Sequence, residues 1–163
     1  MIPLRVLLLC AALPCAATAA QAEGTRVAFG AIKADPTLPV EVTADTLDVN
    51  QADGSAEFVG NVLVGQGEMR LSADRVLVIY AEAAGGIERL EATGDVVLVN
   101  GPDAAEADRA EYSIDTGVIV MTGDVLLTQG QNALTSDRME VNLTTGTAQM
   151  AGRVKTILVP ADE

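Results

Sequence analysis

Residues 93–99 read TGDVVLV, and residues 122–128 read TGDVLLT. A Thr-Gly-Asp followed by an apolar run, written twice 29 residues apart, marks a repeated structural unit. Sliding the chain against itself extends it to four markers. Gly60-Asn61-Val62, Gly94-Asp95-Val96, Gly123-Asp124-Val125 and Gly152-Arg153-Val154 are spaced by 34, 29 and 29 residues. A second marker interleaves with the first: Ala44-Asp45, Ala73-Asp74-Arg75, Ala107-Asp108-Arg109 and Ser136-Asp137-Arg138, spaced by 29, 34 and 29. The one longer spacing falls around AEAAGG at 81–86, a turn-like stretch, so the extra residues lengthen a loop.

Inside the units the apolar period is two, which is the period of a strand with one buried face. Two residues beyond each aspartate stand Leu47, Val76, Ala110 and Met139; four beyond stand Val49, Val78, Tyr112 and Val141. Between them lie Asp48, Glu111, Ser113, Glu140 and Asn142, so the other face is wet. Counted from the glycines, position +2 is valine in all four units, and position −2 holds Phe58, Ala92, Met121 and Met150. Gly54, Gly117 and Gly146 stand six residues before a marker glycine, where a hairpin needs a residue of positive φ.

From turn to turn the chain runs about 14 residues, against the usual 5 to 6 for a strand, so each arm is expected to break in its middle. The Gly and Asp markers sit at those breaks. Glycine tolerates a sharp bend and Asp or Asn bonds nearby backbone, so Thr-Gly-Asp reads as a corner and not as a reactive site. Two bent arms per unit over four units predict an all-β chain: an elongated, twisted antiparallel β-roll or jelly roll of about sixteen short strands. Its interior is built mostly from Val, Ala, Leu and Met, with Phe29, Phe58, Tyr80 and Tyr112 as the only aromatics. Such an interior is expected to leave a groove between the sheets unfilled.

The 163 residues carry 10 basic and 23 acidic side chains, no histidine and a net charge of −13. A nucleic-acid partner, which must be held by phosphate neutralisation, is excluded on that balance. Residues 1–22 read as a cleaved signal peptide: a basic MIPLR, an apolar VLLLCAAL and a small-x-small AQA site. Both cysteines, Cys10 and Cys15, lie in it, which removes disulfide, thiolate and cysteine-metal chemistry from the exported chain. The repeated aspartates do not follow the glycine-rich nonapeptide of calcium-binding rolls, so no metal or cofactor is expected. The expected organisation is a signal peptide over 1–22, an extended lead-in over 23–39, the roll over 40–159 and a tail over 160–163, with the product in the periplasm.

The stretch VEVTADTLDVNQADGSAEFVGNVLVGQGEMRLSADRVLVIY at 40–80 resembles the LptA/OstA-type proteins of lipopolysaccharide transport. Its strand, turn, F-x-G-N-V, Q-G and L-x-A-D-R follow in that family's order, and the resemblance runs over about Val40 to Val159. It implies a twisted V-shaped antiparallel jelly roll that carries lipopolysaccharide, without catalysis, from the inner to the outer membrane. It implies lipid A contact at Val40, Val42, Val99, Tyr112 and Ile114, to which the apolar columns add Val49, Val78 and Val141. The exposed edges of such a roll fall at Val40 and Val42 and at Ile157 and Val159. Its implied partners are an inner-membrane LptC-like protein, an outer-membrane LptD-like protein and further copies of itself, head to tail.

Two other readings compete. An exported β-solenoid hydrolase or lyase would need a carboxylate pair with a nearby cation. The acids are scattered on the wet face instead, and Arg75, Arg109 and Arg138 repeat with the fold, as structural ion pairs would. A homologous bridge component of the inner-membrane side would keep its apolar N-terminus as an anchor.

Overall fold

The computed structural model describes residues 25–28, 35, 37–52, 54–81 and 85–158, the first four as backbone only. The expected signal peptide and tail lie outside the described residues. The strands are β1 (Thr25–Ala28), β2 (Glu41–Thr43), β3 (Thr46–Asn50), β4 (Ser55–Gln66), β5 (Met69–Tyr80) and β6 (Ile87–Asn100). β7 (Asp103–Ser113), β8 (Val118–Gln129), β9 (Asn132–Asn142), β10 (Thr147–Ala151) and β11 (Lys155–Ile157) follow. All pairings are antiparallel and all belong to one sheet, in which each strand from β4 to β10 pairs with the next. There is no helix among the described residues.

β4 to β9 run unbroken from turn to turn, yet each changes register in its middle. Val59 pairs with Arg75 and Val62 with Ala73, so Gly60-Asn61 together oppose Asp74 alone. The same two-against-one count sets Gly94-Asp95 against Asp108 and Gly123-Asp124 against Asp137. An extra residue on one strand bends it and sharpens its twist, so every arm turns a corner at its marker. The marker glycines have φ between 77° and 87°, and Asn61, Asp95, Asp124 and Arg153 after them have φ between 40° and 47°. Asn and Asp are the side chains most at ease there. The corner glycine is required for a second reason: a Cβ on Gly60, Gly94 or Gly152 would lie 2.5 Å from the carboxylate of Asp45, Asp74 or Asp137. Asp45 and Asp137 also donate their amides to the carbonyls of Gly60 and Gly152, at 2.9 and 3.0 Å. The two interleaved markers of the sequence are therefore one contact.

The turn glycines Gly54, Gly117 and Gly146 have φ of 65°, 66° and 67°, as the hairpins demand. β2 with β3, and β10 with β11, are two further arms interrupted at the corner, so six continuous arms and two interrupted ones give the expected sixteen half-arms. Hydrogen bonding carries six of the arms through the bend, so the sixteen half-arms form ten strands, and Thr25–Ala28 adds the eleventh. One half of every arm forms a first wall, built from β3, β10 and the parts of β4 to β9 nearer Gly54, Gly117 and Gly146. The other half forms a second wall, ending on β2 and β11. One difference from the sequence reading stands out: Thr25–Ala28, expected in the lead-in, forms β1 and pairs with β10. Pairing with a partner some 120 residues away leaves no local periodicity to read.

Candidate functional site

The apolar columns all fall on the inside of the bend. Val76, Val78, Ala92, Ala110, Met121, Met139 and Val141 of the first wall are at most 2% exposed, as are Val62, Val96 and Val125 of the second. They form one continuous core. The outer surface of the first wall carries Asp48, Glu57, Glu91, Glu111 and Glu140, with Arg75 bound to Glu57 at 2.8 Å and Arg138 to Glu140 at 3.0 Å across exposed ground. Such exposed pairs contribute about 0 to 1 kcal/mol each.

The interior is filled. Between the walls the space lined by Val64, Met69, Leu71, Leu90, Ala110 and Tyr112 amounts to about 10 Å³. That is room for about one water-sized sphere, so an apolar chain cannot enter there unless the walls part. The expected open groove is closed by these apolar side chains and by a polar tie. Tyr112 of the first wall, 1% exposed, donates its hydroxyl to Oε1 of Gln66 on the second wall at 2.5 Å. Gln66 in turn donates to the carbonyl of Leu38 at 2.9 Å. Burial pushes the Tyr112 phenol up to about 12, against the opposite pull of the Gln66 bond.

Gln66 belongs to a row that sequence reading missed. Gln66, Asn100, Asp103 and Gln129 line the inner side of the second wall at its hairpin ends, with Asn100 opposite Asp103 and Gln129 bound to Asp103 Oδ2 at 2.9 Å. All but Gln129 are buried, and no buried side-chain nitrogen or oxygen among the described residues lacks a partner. The signal was present: Gln66-Gly67, Asn100-Gly101 and Gln129-Gly130 recur at the unit spacing of 34 and 29.

The expected contact residues separate into groups. Tyr112, Val78 and Val141 lie deep in the core; Val40, Val42 and Ile114 are partly buried against it. Val49 lies on the inner face, opposite Ala56, but is 65% exposed because β3 is the last strand of its wall, and Leu47 beside it is 52% exposed. Val99 is elsewhere. Its register partners are Arg70 and Ala104, on the face opposite buried Leu98, so it points away from the interior. A period of two makes a one-residue displacement a change of face, and that is the physical reason for the misplacement. Ile157, opposite Ala133, is 54% exposed on the outer face, and Val159 lies outside the described residues.

The arrangement is thus an apolar seam, shut in its middle and bare at the β3 end. The model of the family described as LptA/(LptD N-terminal domain) LPS transport protein matches residues 41–147. The chain belongs to this family. The LptA/LptD N-terminal family is one of transport proteins and not of enzymes, so the hydrolase reading falls away. An uncharacterized protein of Rhizobium meliloti (strain 1021), R00383, is 30% identical over 112 residues, which are 64% of this chain and 60% of that protein. The chain therefore spans less than two thirds of that relative. The crystal structure of LptH from Pseudomonas aeruginosa, the LptA-homologous periplasmic component of a lipopolysaccharide transport device, superposes with a TM-score of 0.69. At 16% identity over 78% of this chain and 99% of that one, the likeness is one of fold. The all-β jelly-roll expectation and the family resemblance are both borne out.

Proposed function

We propose that this member of the LptA/LptD N-terminal family is a periplasmic carrier that shields the acyl chains of lipopolysaccharide while sugars and phosphates remain in water. The observation that carries the reading is the continuity of the seam: exposed Leu47 and Val49 share a face, strand by strand, with Ala56, Phe58, Val76 and Val78 inside. An acyl chain meets bare apolar surface at the β3 end and extends inward as the walls part. Covering apolar area is worth about 25 cal/mol per Å², so several buried methylenes offset the opening of the seam. With a net charge of −13 the protein repels phosphate, so the lipid is gripped by its tails.

The ends of the roll complete the proposal. Val40 and Val42 at one end and Ile157 at the other mark edges where strand addition would join the carrier to an inner-membrane homologue, an outer-membrane receptor or another copy. The test is organic extraction of protein purified from its own periplasm, with mass spectrometry of the extract. Lipid A is the expected finding, and an extract free of lipid A overturns the carrier reading.

A further inference from the structure

β1 sits where the roll would otherwise continue. Its register sets Thr25 opposite Met150, Arg26 opposite Gln149, Val27 opposite Ala148 and Ala28 opposite Thr147. At the far end of the same wall, β3 sets Leu47 opposite Phe58, Asp48 opposite Glu57, Val49 opposite Ala56 and Asn50 opposite Ser55. Met150 and Phe58 each stand two residues before a marker glycine, and Ala148 and Ala56 four before. The two pairings are therefore the same pairing: Thr25–Ala28 stands to β10 in the register in which Leu47 to Asn50 stands to β4, and in the same direction.

From this coincidence we propose that β10 is the acceptor edge for β3 of a second copy, and that the chain's own β1 is an intramolecular competitor occupying that seat. The inference rests on the reading that copies join edge to edge. Along the outer row of this wall stand Asp48, Glu57, Glu91, Glu111 and Glu140, of which Glu57, Glu91 and Glu140 are paired with Arg75, Arg89 and Arg138. The register sets Arg26 opposite Gln149, the position an incoming β3 would give to Asp48. β11, in the other wall, has no strand beyond it among the described residues, so only half of this end is capped. A second copy gains a foothold on β11 and displaces β1 from β10.

The test compares three forms of the full chain, all with Cys10→Ser and Cys15→Ser: the parent, a deletion of Thr25–Ala28, and a lock carrying Arg26→Cys with Gln149→Cys. Light scattering across a concentration series is read together with hydrogen exchange of the β10 amides. The deletion is expected to assemble at a concentration at least tenfold below the parent, and the oxidised lock to stay single until it is reduced. Equal assembly of parent and deletion overturns the competition. Should neither assemble, hydrogen exchange assigns the failure. β10 amides that exchange faster in the deletion show that β1 is the cap but that a second copy is not its rival, which overturns the edge-to-edge reading. Unchanged exchange shows that β1 does not hold β10, which overturns the cap.

Discussion

Tyr112 and Gln66, 46 residues apart and on opposite walls of the bend, share a 2.5 Å hydrogen bond inside the apolar core. It is a polar tie across a seam lined by apolar side chains. Tyr112→Phe keeps the ring and deletes the tie, so a loss of about 1 kcal/mol of stability is expected in urea unfolding. The pH dependence follows from the phenol. Its ordinary value is 10.0 and burial raises it to about 12, so between those values the unfolded chain loses the proton first. Stability is thus full below pH 10 and declines from there to pH 12. In Tyr112→Phe that decline should be shallower; an identical slope in both proteins would mean that Tyr112 is not the group responsible.

Gly94 lies against Asp74, and a Cβ there would come within 2.5 Å of Oδ2 at a φ of +81°. Gly94→Ala is expected to cost about 2 to 4 kcal/mol, part from the left-handed backbone and part from the overlap. Asp74→Ala in the same chain removes only the overlap. A double-mutant cycle should therefore show favourable coupling of about 1 kcal/mol, and additive losses would place the whole cost in the backbone.

Val49 and Val99 are both exposed valines with opposite addresses, one on the bare inner face and one on the outer. Changing either to Asp should leave the fold intact, with a cost of about 1 kcal/mol or less from strand propensity, since neither lies in the core. Val49→Asp should weaken lipopolysaccharide capture by roughly tenfold, because a carboxylate resists being dried against an acyl chain. Val99→Asp should leave capture unchanged. Equal effects of the two substitutions would break the link between the inner face and the lipid.

At the other end, Ile157 and Leu158 stand bare at 54% and 71% exposed. Proline at Ile157 removes a backbone donor from β11, and at Leu158 one just beyond it, so either should suppress edge-to-edge growth while a single copy still takes up lipid. Light scattering of the Ile157→Pro protein, with lipid extraction in parallel, separates the two activities. Elongation like that of the parent would place the contacts elsewhere.

The repeat was legible because it is enforced locally. Each arm must turn the same corner, so Gly60, Gly94, Gly123 and Gly152 recur, and each must bury one face, so the valines at +2 and the apolar residues at −2 recur with them. That Asp74 lies beneath Gly94 could not be read, since the two markers belong to neighbouring arms and their contact depends on register. Val99 shows the limit of a pattern of period two: one residue decides the face, and an apolar side chain can stand on either. The sequence by itself determined the strands, the corners, the turns and the apolar columns, because backbone conformation and burial of a face are demands met within one arm. Only the tertiary structure decided that the columns close on each other, that Tyr112 reaches Gln66, and that Thr25–Ala28 returns to the far edge. Those contacts join segments distant in the chain, and no short-range period encodes which of them will meet.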